Sequence, residues 1–191
     1  RMLAHYMNDP EYIDIVLHGD PHAANQEAAG LATRAQSKTF IYAFLYGAGV
    51  KKLGSVVGGT ASDGARLRSK FLDNMPSLNN LIDRVQAAAE RGNIKGLDGR
   101  RIHIRHQHAA LNSLLQGAGA IVCKQWSICM HNYIQSNRLD ARLVNTIHDE
   151  LQYEVHTKDV QSVLEGSDEM MQEAGKLLGV RLELNADAKV G

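Results

Sequence analysis

An α+β fold is predicted for this 191-residue chain by three observations. Helical spacing of apolar residues dominates the first half. The period then switches over residues 94–104, where Asp98-Gly99 marks a hairpin turn. Two β-rich runs, 143–147 and 151–155, lie between long helical stretches. The expected architecture is a helical lobe over 1–92, then over 93–191 part of an antiparallel sheet with helices packed on one side.

The elements are expected in this order. A short apolar helix covers 2–7. Pro10 follows Asp9 and opens a helix to 17, and Pro21 follows Asp20 and opens another to 29. Thr33 fits the N-cap of a helix over 34–46, ended by Gly47-Ala48-Gly49. Helices are expected at 62–74 and 76–91. The region of Gly54 and Gly58-Gly59 before them reads as loop. A long helix follows the hairpin over 108–136, its apolar stripe including Leu111, Leu114, Ala118, Val122, Trp126 and Met130. Trp126 and Met130 read as core. A helix over 158–178 and a short strand over 180–184 close the chain.

Composition narrows the class. The 21 basic and 21 acidic residues balance, which argues against binding nucleic acid by bulk charge but leaves room for a local basic groove. No apolar run approaches the roughly 18–20 residues that span a bilayer, no signal peptide is visible, and a cytoplasmic setting is expected. Cys123 and Cys129 are six apart on one helix. That separation, about 9 Å along the axis, suits neither a disulfide nor a metal pair.

The stretch richest in chemistry is 34–47. Arg34, Lys38, Tyr42 and Tyr46 recur every four residues. Each step drifts only about 40° around a helix, so two cations and then two rings share one slowly winding face. The cationic end lies at the helix N-terminus and suits phosphate oxygens. The tyrosine end suits a base and sugar. A solvated helix with tyrosines in the core would give the same spacing.

In 143–155, Leu143, Ile147, Leu151, Tyr153 and Val155 fall on one alternating phase. Asp149 falls on the same phase if the chain stays extended, and a carboxylate there would call for a cation. A turn at His148-Asp149-Glu150 would reset the alternation. On the long helix, Asn112 and Gln116 form a polar edge, with His108 one turn earlier. Side-chain amides can read the minor-groove acceptors shared by all base pairs.

Arg-x-x-x-Lys-x-x-x-Tyr-x-x-x-Tyr-Gly at 34–47 resembles motif B of family A (polymerase-I-type) DNA polymerases, and 38–49 resembles the phage replicative branch most. His18-Gly19-Asp20-Pro21-His22, the hairpin 97–101, the run 112–120 and His148-Asp149-Glu150, similar to motif C, match in order along essentially the whole chain. The resemblance implies fingers over 1–92, with the start of the palm, and palm over 93–191. It implies DNA-directed DNA synthesis from dNTPs on primer–template DNA.

It also implies residue roles. His22, Arg34, Lys38, Tyr42 and Tyr46 would bind the nucleotide, and Lys38 would act in catalysis as well. Asp149 would hold metal, with Glu150 supporting the site. His148 would lie near the primer end, and His108, Asn112 and Gln116 would bind DNA. Two Mg²⁺ ions are expected, their second carboxylate ligand lying outside this chain in motif A just before Arg1. The chain is then expected to be a fragment, inactive alone, whose partners include motif A, the thumb and an exonuclease domain where one exists. No membrane partner is expected, and a phage source would put the protein in the host cytoplasm. The competing readings are a non-catalytic nucleic-acid-binding remnant, one half of a split polymerase, and a metal-dependent nuclease. The nuclease reading leaves the 34–46 face without a use.

Overall fold

The computed structural model describes residues 1–191, which form two compact units, 1–115 and 116–191. The fold is α+β.

The first unit is mainly helical. Helices α1 (Met2–Met7), α2 (Pro10–His18) and α3 (Pro21–Ala29) are followed by α4 (Arg34–Leu45), α5 (Val50–Ser55), α6 (Ala61–Asp73) and α7 (Pro76–Ala89). Asp9 and Asp20 cap α2 and α3 by accepting two backbone N–H bonds each, and proline at the first helical position supplies the fixed φ. Thr33 and Gln36 form a reciprocal capping box on α4, and Thr60 with Asp63 does the same on α6. Asp9 also accepts from Ser77 Oγ at 2.7 Å, tying the start of α2 to the start of α7. The inward face of α4 sends Phe40 and Phe44 against Phe71 of α6, both edge-on at 5.3 Å between ring centres. These rings, with Leu53 and Leu78, make the core that fixes which face of α4 looks outward.

The region expected to be loop around Gly54 is helix α5. Its glycines mark a helix crossing. A Cβ at Gly54 would lie 1.8 Å from the Thr60 carbonyl oxygen, and one at Gly64 would lie 1.9 Å from that of Val50. Only glycine lets the two backbones approach this closely, so here glycine joins helices instead of breaking one. Gly64→Ala is expected to cost about 2–3 kcal/mol, because the clash is with backbone that cannot swing away and outweighs the roughly 1 kcal/mol gain in helix propensity. In a chain of this size that lowers Tm by several degrees. A thermal melt equal to the parent's would show that the crossing opens at no cost.

A hairpin of β1 (Asn93–Lys95) and β2 (Arg101–His103) closes the α7 side of the unit. Its turn runs through Asp98-Gly99, with Gly99 at φ +84°, in agreement with the sequence expectation. A 3-10 turn at Gln107–Ala109 leads into the long helix α8 (Ala110–Ser136), whose first residues belong to this unit.

In the second unit, α8 continues to a hairpin of β3 (Ala141–Ile147) and β4 (Glu150–Val155), followed by α9 (Val160–Leu177). Trp126 Nε1 of α8 donates to the Ser167 carbonyl of α9 at 2.9 Å, and Gly166 makes room for the Tyr133 ring. Trp126 and Met130 are core, as expected. The sheets are two separate two-stranded hairpins. No strand forms over 180–184. Leu182 and Leu184 are buried, with Leu184 against Gly175 of α9, and Ala186 N–H donates to Asp168 at 2.9 Å. The apolar positions are satisfied by burial, Leu184 against a helix, without a ladder partner.

Candidate nucleotide and nucleic-acid site

The outward face of α4 carries Arg34, Lys38, Tyr42 and Tyr46, all exposed. Tyr42 and Tyr46 keep 49% and 58% of their surface open, so the rings are not core residues. The face is about 18 Å long from Arg34 to Tyr46.

Its cationic end is organised by a residue that periodicity did not single out. Asp20, the cap of α3, also receives the Arg34 guanidinium in a two-point bond, 2.6 Å from Nε and 3.2 Å from Nη2. The bond to Arg34 above all, then the backbone N–H groups of His22 and Ala23, holds the Asp20 carboxyl at a pKa of about 2. Arg34 is therefore held in place by Asp20. Lys38 one turn on has no such tie. Ser37, fully buried on the inner side of α4, donates to the His22 carbonyl at 2.8 Å. These two links fasten the start of α3 to α4, so His22 is carried beside the cationic half of the face. Its Nδ1 is buried without a hydrogen-bond partner.

Gly47 ends the tyrosine half with φ +76°, and a Cβ there would lie 2.4 Å from the His108 carbonyl oxygen. The glycine that stops α4 thus brings His108 against the end of the face. Asn112 follows half-buried one turn into α8. Sequence spacing alone could not join 47 to 108. The only local sign was a glycine where the helix had to stop.

In the second unit, His148 and Asp149 are the two turn residues between the paired Ile147 and Glu150. The turn resets the alternation, so of the two placements open to Asp149 the structure takes the turn and not the apolar phase of an extended chain. Asp149 is exposed at the hairpin tip. His148 has φ +53°, a left-handed conformation that glycine adopts far more readily. Glu150 accepts from Gln152 Nε2 at 2.7 Å. The tip lies near Cys123 of α8, whose thiol pKa is raised first by burial and then by the Asp149 charge. Gln116 is exposed on α8. No group of three or more His, Cys, Asp or Glu residues stands ready to hold a metal ion. Asp149 fits as one hard oxygen ligand, and the set is not completed by neighbouring side chains.

The model of DNA polymerase family A matches residues 1–191. This chain belongs to DNA polymerase family A. It is similar to the DNA-directed DNA polymerase of Escherichia phage Phieco32, with 42% identity over 94% of this chain and 30% of that protein. It is also 39% identical to the DNA-directed DNA polymerase of Escherichia phage T7, across 100% of this chain and 31% of the relative. The chain thus spans under a third of the length of these curated relatives. Its fold matches the POL domain of Pol1 from M. smegmatis, a structure in complex with DNA primer–template and dNTP. That match has a TM-score of 0.80 and 22% identity, and covers 91% of this chain and 34% of the other. No helix is long and apolar enough to cross a membrane.

Proposed function

We propose that this chain supplies the fingers and much of the palm of a DNA-directed DNA polymerase, with fingers over 1–92 and palm over 93–191. The observation that carries the reading is the outward α4 face, where two cations and two exposed rings follow one another in the order of a nucleoside triphosphate's parts. In this reading Arg34, Lys38 and His22 receive the phosphates. Tyr42 meets the sugar and Tyr46 the base. His108, Asn112, Gln116 and His148 hold the primer–template, and Asp149, supported by Glu150, is one metal ligand.

The reaction joins the primer 3′-oxygen to the α-phosphorus of a dNTP and releases pyrophosphate. Mg²⁺ ions, when bound, would stabilise charge on the attacking and leaving oxygens, and Asp149 with a carboxylate from elsewhere in the polymerase would hold them. Lys38 neutralises charge that grows on the pyrophosphate as it leaves. Arg34 orients the same phosphates from a fixed position, because Asp20 holds its guanidinium. The setting that goes with the phage relatives is the host cytoplasm.

The test is primer extension by the polymerase carrying this segment, with four dNTPs and Mg²⁺. Template-directed extension supports the reading. DNA binding without extension by that complete polymerase would favour a non-catalytic module, and hydrolysis of DNA in the absence of dNTPs would favour a nuclease.

Tyr42 gives a sharper check. Its hydroxyl, open at the middle of the face, can stand where a substrate's 3′-hydroxyl would bond, so a dideoxynucleotide loses little. Tyr42→Phe is expected to raise discrimination against dideoxynucleotides by about tenfold, the value of one hydrogen bond of about 1–1.5 kcal/mol. Competition between dNTP and ddNTP measures it, and an unchanged ratio would remove Tyr42 from the sugar site.

A further inference from the structure

A buried cluster on α3, behind the cationic half of the α4 face, is left with unmet hydrogen bonds. Asn25, in the middle of α3, keeps only 3% of its surface exposed. Its side chain is hydrogen-bonded to that of Tyr12, itself buried on α2. The amide Oδ1 is buried with no partner, so the bond to Tyr12 runs from Nδ2. One turn earlier on the same helix, Nδ1 of His22 is buried and has no partner either. An acceptor with nothing to accept and a ring nitrogen with nothing to bond thus lie one turn apart on one face of α3.

Both atoms are costly as they stand, because each has lost its water and gained no partner. Asparagine is also a poor former of helix interiors. An apolar side chain at position 25 would avoid both costs. Residues three apart on a helix have β-carbons about 5–6 Å apart. Helical side chains lean toward the helix N-terminus, which inclines the Asn25 amide over the turn that carries His22. The His22 backbone is already fixed, because Ser37 Oγ donates to its carbonyl at 2.8 Å. What remains to be set is the rotation of the imidazole. A bond from Nδ1–H to Oδ1 would set it and satisfy both atoms. It would also assign the two ring nitrogens, since Nε2 is then the one left to meet an anion. In its charged form the ring donates inward from Nδ1 and outward from Nε2.

We infer that Asn25 is a positioning residue for His22: its Oδ1 accepts Nδ1–H and aims Nε2 at the triphosphate, while Tyr12 holds the amide from behind. The inference rests on the reading above that places His22 at the phosphates. It adds a residue that does not touch the substrate and acts only through the ring it orients.

The test is a double-mutant cycle in the polymerase that carries this segment, read by single-turnover addition across a range of dNTP concentration. Asn25→Leu is close in shape and removes the acceptor. It is expected to weaken dNTP affinity about tenfold, with the rate at saturating dNTP within about threefold of the parent's. In a His22→Ala background the same substitution should change affinity by less than about twofold, because the ring it orients is gone. A purely structural role would give the same loss in both backgrounds, and that result would overturn the inference. Should Asn25→Leu melt well below the parent, Tyr12→Phe runs the cycle from the other side of the amide. It frees Nδ2 and leaves Asn25 and His22 in place. Its expected loss is about threefold with His22 present and none with His22 replaced. Equal changes in both backgrounds, or no change in either, would again overturn the inference. The underlying reading has its own control. His22→Ala alone should weaken dNTP affinity, and parent affinity in that variant would take His22 away from the phosphates and the role of Asn25 with it. A loss on His22→Ala with none on Asn25→Leu would leave the reading standing and remove Asn25 from it.

Discussion

Asp149→Asn is expected to lower the rate of nucleotide addition by at least ~10³-fold, while the fold and primer–template affinity stay near the parent's. Metal-held charge on the reacting oxygens is worth several kcal/mol in a transition state, and a factor of ten is about 1.4 kcal/mol. An amide keeps the shape of the carboxylate but gives up the charge that a hard cation requires. Asp149 is exposed in a two-residue turn, so its replacement should change stability by no more than about 0.5 kcal/mol. Glu150→Gln should cost less, because that carboxylate is engaged with Gln152. A second readout is independent of turnover. Since the Asp149 charge helps to raise the Cys123 thiol pKa, its removal should speed alkylation of Cys123 at mildly alkaline pH. Single-turnover extension within tenfold of the parent would take Asp149 out of the metal site.

The turn itself bears on this reading. His148 occupies a backbone region in which a β-carbon costs about 1–2 kcal/mol. A hairpin selected only for stability would place glycine there. A histidine there, beside an exposed carboxylate, gives up stability for a side chain that glycine lacks.

What the sequence made legible were features whose causes are local. The α4 helix was readable because Thr33 and Gly47 sign both of its ends within fifteen residues. The Asp98-Gly99 hairpin was readable for the same reason. Local signals misled where a distant partner decided the outcome. Gly54 looked like a helix breaker because its counterpart, Gly64, meets it only across a crossing. The alternating Leu182 and Leu184 looked like a strand because a helix groove and a sheet ask for the same spacing. In the candidate site, Arg34 and Lys38 looked equivalent on the helix, and only the fold brings Asp20 from fourteen residues upstream to hold one of them. His22 and Ser37 are joined the same way.

That asymmetry leads to the second large effect. Lys38→Ala is expected to slow nucleotide addition by ~30- to 1000-fold, a loss of about 2–4 kcal/mol of transition-state stabilisation, with a much smaller change in dNTP affinity. Lys38 is exposed and tied to no carboxylate, so its ammonium can follow the charge that gathers on the leaving pyrophosphate. Alanine is the best helix former and the position is solvated, so the melting temperature should not fall. Arg34→Ala should behave differently. It removes a cation already shared with Asp20 and loosens the link between α3 and α4, so binding should weaken at least as much as the chemical step slows. Lys38→Arg restores the charge but spreads it over a wider, planar group, and should recover only part of the rate. Single-turnover kinetics across a range of dNTP concentration separates the two effects. A Lys38→Ala rate within about threefold of the parent, or a loss confined to dNTP affinity, would mean that this cation binds the substrate without acting on its reaction.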